Sequence, residues 1–245
     1  MPRYSVEAVV LKSINFQDSD KIYTLFAKDK GKIIASGKGV RKISSRRGGN
    51  LDTLNHIVLG ISESQRGFKT ITEVKTVNSF RDLKSSLGNS AKGFYLAELV
   101  YKLLDESAEQ NDVFDLLVSS LTKLDKHLNN EVSRVNSFEI KLMDLLGYGM
   151  YLDQCAKTSR PYDGSWDTIK FNASIGGLIS DPSVPGIELT KGTADLLHAL
   201  KTKRAIPKKL LEDASHIKEA DRLLKAYIKD ILDGDIRTAR VFGEI

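Results

Sequence analysis

The feature that most constrains this chain is a change of hydrophobic period near residue 80. Before it, Val6, Ala8 and Val10 alternate with Glu7 and Val9, and Ile22, Thr24 and Phe26 alternate with Tyr23 and Leu25. That is the period-two signature of half-buried strands. Asp29-Lys30-Gly31 supplies turn chemistry, with Gly31 able to take positive φ, before residues 32–36 continue as a third strand. Ile57, Leu59 and Ile61 alternate up to a turn at Gln65-Arg66-Gly67, and residues 68–77 alternate again. In that last run Ile71, Glu73 and Lys75 fall on one side and Thr72, Val74 and Thr76 on the other. Five short strands with one long loop between the third and fourth suit a small closed barrel, of OB or SH3-like type.

From residue 81 the spacing becomes helical: Phe94, Ala97, Tyr101 and Leu104; then Phe114, Leu117, Leu121, Leu124 and Leu128; then Val135, Phe138, Leu142 and Leu145. Gly147 and Gly149 offer the positive-φ residue on which a helix commonly stops. Residues 153–186 are rich in Gly, Ser, Asp and Pro and read as a loop-rich insertion, too long for an ordinary connection. Helices resume with Ala194, Leu197 and Leu200, and again through Ile217, Ala220, Leu224, Tyr227 and Ile231 to Asp233-Gly234. The reading is a multidomain α+β chain: a five-stranded barrel over 1–80, and a helical domain over 81–245 with its insertion at about 153–186.

Charge divides at the same place. Residues 1–80 hold 14 Lys or Arg against 7 Asp or Glu, net +7, while residues 81–245 hold 23 against 25, net −2. Residues 28–50 alone carry eight cations against the single acid Asp29. Gly and Ser punctuate the stretch from Gly37 to Gly49, so its cations are expected to be free to follow a polyanion backbone. Lys32, Lys38, Arg41, Lys42, Arg46 and Arg47 are the candidate phosphate-binding residues. Among nearby aromatics, Phe26 is assigned to the core, and one of Tyr23, Phe16 or Phe68 is expected to be exposed as a stacking platform. The later run Lys201, Lys203, Arg204, Lys208 and Lys209 reads as a solvated helix end.

Other chemistry is sought and mostly rejected. The longest stretches without a charge, residues 53–62 and 171–180, are ten residues each, against the roughly 20 apolar residues of a membrane span. The first residues lack the apolar stretch of a signal peptide, so a cytoplasmic protein is expected. Gly31 to Gly39 fails as a P-loop: Gly31 and Gly37 are one residue too far apart, and Gly39 stands where a Ser or Thr would hold magnesium. His56, His127, His198 and His216 are scattered and are assigned to the surface or its boundary. Asp18-Ser19-Asp20 reads as a cap or turn, and Cys155 has no sequence-local sign of activation. No catalytic residue, cofactor or metal is assigned, which favours a binding protein over an enzyme.

Several motifs in order carry a resemblance: Glu7 to Lys12, Asp18-Ser-Asp-Lys21, Leu25-Phe26, Gly31-Lys32, Gly37-Lys-Gly-Val-Arg-Lys42 and Gly48-Gly49. Leu145-Leu-Gly-Tyr148, Leu152-Asp-Gln-Cys155 to Arg160-Pro161, Gly176-Gly-Leu178 and Arg237-Thr-Ala-Arg240 continue it. Together they resemble the bacterial RecO family of recombination mediators over essentially the whole chain. The resemblance implies an N-terminal OB-fold, a helical region with a zinc-finger-like lobe, and no enzymatic turnover. It also implies binding of single- and double-stranded DNA, strand annealing, and action with RecR to load RecA onto DNA coated by single-strand binding protein. The resemblance further implies the acidic C-terminal tail of that protein as a partner, RecF and RecA as indirect ones, and a cytoplasmic, nucleoid-associated location in a bacterium.

The chain departs from zinc-bearing relatives, whose pattern is Cys-x2-Cys twice. Here Cys155-Ala-Lys-Thr158 and Ser180-Asp-Pro-Ser183 keep the spacing and a single thiol. Hydroxyls are poor zinc ligands, so the lobe is expected to bind no metal and to be held by packing of Trp166, Phe171 and Leu178. The competing reading is a protein-interaction scaffold that binds an acidic protein tail, with incidental DNA affinity.

Overall fold

The computed structural model of the chain describes residues 2–43, 45, 47–105, 109–126, 130–202, 206–232, 234 and 236–238. Arg46, His127, Leu128, Lys203, Arg204, Asp233 and Arg240, singled out above, lie outside the described residues.

Strands β1 (Arg3–Phe16), β2 (Asp20–Ala27), β3 (Gly31–Gly37), β4 (His56–Glu63) and β5 (Lys69–Asn78) close into a barrel in the order β1-β2-β3-β5-β4. This is the OB-fold, the α+β architecture expected. Gly31 turns the β2–β3 hairpin at φ 63°. Alternation fills the barrel with Val6, Ala8, Val10, Tyr23, Leu25, Ala27, Ile33, Ala35, Ile57, Leu59 and Ile61. β1 serves two neighbours, pairing with β4 over residues 3–9 and with β2 over residues 8–16. A bulge at Leu11 bends it between those tasks, where the register passes from Val10↔Leu25 to Lys12↔Thr24.

A second bulge corrects the expected faces of β5. Pairing runs from Gly60↔Glu73 to Ile61↔Ile71, so Thr72 is an extra residue. The shift puts Ile71 in the core and lets Val74 pack against it too, although strict alternation assigns them to opposite sides.

Phe26 is buried, as expected, but on the outside of the barrel. Helix α2 (Asn111–Asp125) covers it, with the Phe114 ring 5.7 Å from Phe26 and 5.9 Å from His56. The α2 N-terminus is tied to the β2–β3 turn by Lys28–Asp115 at 3.1 Å and by the Asn111 amide donating to Asp29 at 3.1 Å. Helix α1 (Leu87–Leu103) starts at Ser86, whose hydroxyl accepts from the Asn89 amide. Its buried face is rotated from the expected stripe: Ala97 and Leu104 are buried as expected, but Phe94 is 37% exposed and Tyr95, Leu96, Leu99 and Val100 are buried. Gly93 explains the rotation, because a Cβ there would meet Leu54 Cδ1 at 2.8 Å and Leu83 Cδ2 at 2.9 Å.

Two compact units emerge, Met1–His127 with Ile236–Ile245, and Leu128–Asp235. The change of period near residue 80 thus marks the passage from strand to helix, whereas the compact units part between α2 and α3 (Glu131–Leu145). In the second unit α3 buries Val135, Phe138 and Leu142, while Leu145, expected on the same stripe, is exposed. Gly147, at φ 83°, ends α3 in a Schellman motif: its amide donates to Asp144 O and the Tyr148 amide to Met143 O. The insertion holds a small sheet of β6 (Lys170–Asn172), β7 (Gly177–Ile179) and β8 (Ile187–Glu188), ordered β7-β6-β8. Trp166, Phe171 and Leu178 are buried in it. Helices α4 (Lys191–Thr202), α5 (Lys208–Glu212) and α6 (Ala214–Leu232) follow.

Candidate nucleic-acid interface

β3 meets β5 at the single pair Ser36↔Thr70, so the outer face of β2 and β3 is left open along that seam. A groove of about 930 Å³ lies there. Side chains that alternate away from the core line its floor, among them Thr24, Lys32, Ile34 and Ser36, and Ile34 is 53% exposed. The β1–β2 tip contributes Phe16 and the β4–β5 turn contributes Phe68. Gly67 at φ 78° makes that turn possible, and Ser64 closes it by accepting from the Phe68 amide at 3.1 Å. Tyr4, Lys30, Lys38, Lys69 and the carboxylates Glu63 and Glu109 also line it, with the Lys30 ammonium 5.0 Å above the Tyr4 ring and Lys69 paired with Glu63 at 3.4 Å.

The aromatics sort differently from expectation. Tyr23 is 1% exposed inside the barrel, where burial first and the Asp52 charge second push its phenol up to about 12. Phe16 is 42% exposed and Phe68 71%, so two rings stand free. Phe16 ends β1 beside the β1–β2 turn and Phe68 lies in the β4–β5 turn; these turns flank the β2–β3 face, the part of an OB-fold that takes oligonucleotides. Exposed rings beside cations suit bases that stack while phosphates track the charge.

The six expected cations do not act alike. Lys32 donates to Tyr101 O at 2.9 Å with its ammonium 5.3 Å from that ring. Lys38 pairs with Asp20 at 2.9 Å, and Asp20 also accepts from the Gly39 amide at 2.8 Å. The Gly39 bond first and Lys38 second hold the Asp20 carboxyl below its ordinary value. Arg41 donates to Gln17 O and Asp18 O at 3.3 and 3.2 Å. Arg47 donates to Ile71 O, Thr72 O and Lys38 O. Carbonyls carry no formal charge, so these bonds leave the charges of Arg41 and Arg47 uncompensated, whereas the Asp20 carboxylate compensates that of Lys38. Lys42 is exposed, and Arg46 lies outside the described residues.

Nor is the basic loop a free tether. Val40 and Leu51 both enter the barrel core and pin it at two points. Lys30 and Lys69 line the groove although neither is among the six candidate cations. The signal for them was present in the hairpin turns at either end of the β2–β3 face.

Elsewhere, His56 is buried, not superficial, and bonds Glu7 at 2.7 Å. Asp18 and Ser19 lie in the β1–β2 turn, whereas Asp20 opens β2 and accepts from the Gly39 amide 19 residues away instead of capping locally. Cys155 is buried with its Sγ 3.4 Å from the donating Ser180 amide. Burial raises the thiol, but hydrogen bonds from Ser180 and Thr158 outweigh it and bring it down to about 6. One thiol and three hydroxyls are a poor donor set for zinc. The hydroxyl positions 158 and 180 are turned to the sulfur as hydrogen-bond donors instead. Among the described residues no three His, Cys, Asp or Glu side chains gather as metal ligands.

Family models match along the chain: "Recombination protein O N terminal" over residues 1–80 and "Recombination protein O C terminal" over residues 84–240. The chain is similar to the DNA repair protein RecO of Symbiobacterium thermophilum, 30% identical over 240 residues, covering 93% of this chain and 92% of the relative. Proteins of the same name from Roseiflexus sp. and Syntrophotalea carbinolica are 25% and 26% identical, covering 99% and 100% of this chain and 86% and 96% of the relatives. No helix among the described residues is long and apolar enough to cross a membrane.

Proposed function

The chain belongs to the recombination protein O family of DNA repair proteins, and from that premise we propose that it is a non-enzymatic recombination mediator whose barrel groove binds DNA. On this reading it binds single and double strands, anneals complementary ones and, with RecR, loads RecA onto DNA coated by single-strand binding protein. The observation that carries the reading is one groove in which Phe16 and Phe68 stand exposed beside Lys30 and Lys32, with Lys38 and Lys69 paired to Asp20 and Glu63 at its edge. Rings of this kind stack unpaired bases, and cations that replace condensed counterions give a salt-dependent grip on phosphates. Arg41 and Lys42, with Arg46 beside them in sequence, extend the positive charge beyond the groove.

Annealing requires no bond to be made or broken. A protein that neutralises the phosphates of two strands lowers their mutual repulsion, and base pairing does the rest. The test is a fluorescence assay that follows pairing of complementary oligonucleotides, bare and coated with single-strand binding protein. Acceleration in both conditions is expected; no acceleration in either overturns the reading. The same lysines and the exposed Ile34 also favour a second occupant, an extended acidic protein tail. Competition between the tail peptide and an oligonucleotide separates the two, since tail binding without oligonucleotide binding makes the chain an interaction scaffold.

A further inference from the structure

Arg47 belongs by charge to the set of cations that would grip phosphate, yet its hydrogen bonds go to backbone carbonyls of the protein itself. One terminal nitrogen donates to Ile71 O at 2.9 Å and to Thr72 O at 3.4 Å, and the other to Lys38 O at 2.9 Å. The first two carbonyls belong to the β5 bulge, where the extra residue Thr72 interrupts the ladder with β4. The third belongs to the start of the basic loop. A bulge leaves backbone groups without cross-strand partners, and the guanidinium supplies donors to them while reaching the loop.

We propose that Arg47 is a positioning residue: it buckles the basic loop to the β5 bulge and so holds Arg41 and Lys42 where they meet phosphate. The loop is built for such a fastening. Val40 and Leu51 anchor its two ends in the core, and the Leu51 amide donates to Arg47 O at 3.2 Å. At Gly48 the chain folds back so closely that a Cβ would lie 2.7 Å from Val40 O. Between the anchors the exposed residues Arg41 and Lys42 project from a backbone whose course Arg47 closes. Only a planar fork with several donors spans three carbonyls on two segments; a lysine ammonium has the charge without the reach.

The proposal rests on the DNA-binding reading above, and its test keeps the two apart. The full chain, Arg47→Lys and Arg47→Ala are titrated with fluorescently labelled oligothymidylate at several salt concentrations, and amide hydrogen exchange is followed in all three proteins. Both variants are expected to lose affinity alike, on the order of tenfold, because the lost bonds are those of a charged donor. Exchange is expected to quicken over residues 38–51 and around Thr72, with β1 and β2 unchanged. If Arg47→Lys binds like the parent while Arg47→Ala lowers the salt slope by about 0.7, the value of one single-strand phosphate contact, Arg47 grips DNA and the proposal is wrong. Quickened exchange throughout the barrel overturns it too, making Arg47 a general stability residue. Failure of the parent chain to bind oligothymidylate sinks the DNA reading alone, and the exchange data still decide whether Arg47 fastens the loop.

Discussion

Glu98 on α1 accepts hydrogen bonds from the Thr238 amide at 2.8 Å and from the Thr238 hydroxyl at 2.6 Å, across 140 residues of sequence. A third bond comes from the Arg237 amide at 3.0 Å. The returning end of the chain is thereby fastened to the unit that carries the barrel, with Ile236 buried beside it.

That fastening depends on pH. Burial raises the Glu98 carboxyl, but the Thr238 and Arg237 donors with Lys102 outweigh it, and the net shift is downward. A carboxylate lowered by folding contributes stability above its unfolded pKa, about 4.3, and the contribution is lost as pH falls through the lower folded value. Glu98→Ala is expected to cost about 1–3 kcal/mol at neutral pH and to differ less from the parent in acid. Urea unfolding at neutral and acid pH measures this, and an equal loss at both would contradict it.

Phe16→Ala and Phe68→Ala each remove one ring from the groove. Loss of base stacking is worth about 1–3 kcal/mol per base, so single-strand affinity should fall with an unchanged salt slope. Duplex affinity should change little, because paired bases present no free face. Anisotropy titrations with single- and double-stranded probes decide; equal losses on both probes would deny stacking.

Lys42 and Lys38 are neighbours in the basic loop with different states. Lys42 is exposed, whereas Lys38 is held by Asp20 at 2.9 Å. Lys42→Ala should lower the single-strand salt slope by about 0.7. Lys38→Ala should lower it less, since phosphate must displace Asp20 to reach the ammonium.

Cys155 accepts the Ser180 amide in a buried lobe. Cys155→Ala leaves that donor unpaired, at a cost of about 1–3 kcal/mol. Because folding lowers the thiol to about 6, the parent should gain stability over the variant as pH rises from about 6 toward the ordinary thiol range near 8.5. Elemental analysis should find no stoichiometric zinc; one tightly bound zinc per chain would overturn the donor-set argument.

Gly93→Ala sets helix propensity, a gain of about 1 kcal/mol, against overpacking on Leu54 and Leu83. Overpacking of a tight core costs about 1–3 kcal/mol, so thermal unfolding should show a net loss.

The strand and helix regions were legible because periods of two and of about 3.6 arise from local backbone geometry. Gly31 and Gly147 were legible as turn and stop for the same reason. The faces of β5 were not, since the bulge at Thr72 is a property of the pairing with Gly60 and Ile61 and leaves no mark on β5 itself. The buried side of α1 was legible only in part, through Ala97 and Leu104, because Leu54 and Leu83 set its centre by closing on Gly93. The loop seemed free because Val40 and Leu51 look like isolated apolar residues among glycines and charges until the barrel takes them in.

By itself the sequence determined where strand gives way to helix, that the positive excess lies in the first 80 residues, and that the chain carries a single thiol. These are properties of residues and their near neighbours. Tertiary structure decided which cations are paired with a carboxylate and which rings stay in water. Asp20 reaches Lys38, and the β5 carbonyls reach Arg47, only because the chain closes on itself. Partners of that kind are set by distance in space, and no local pattern records them.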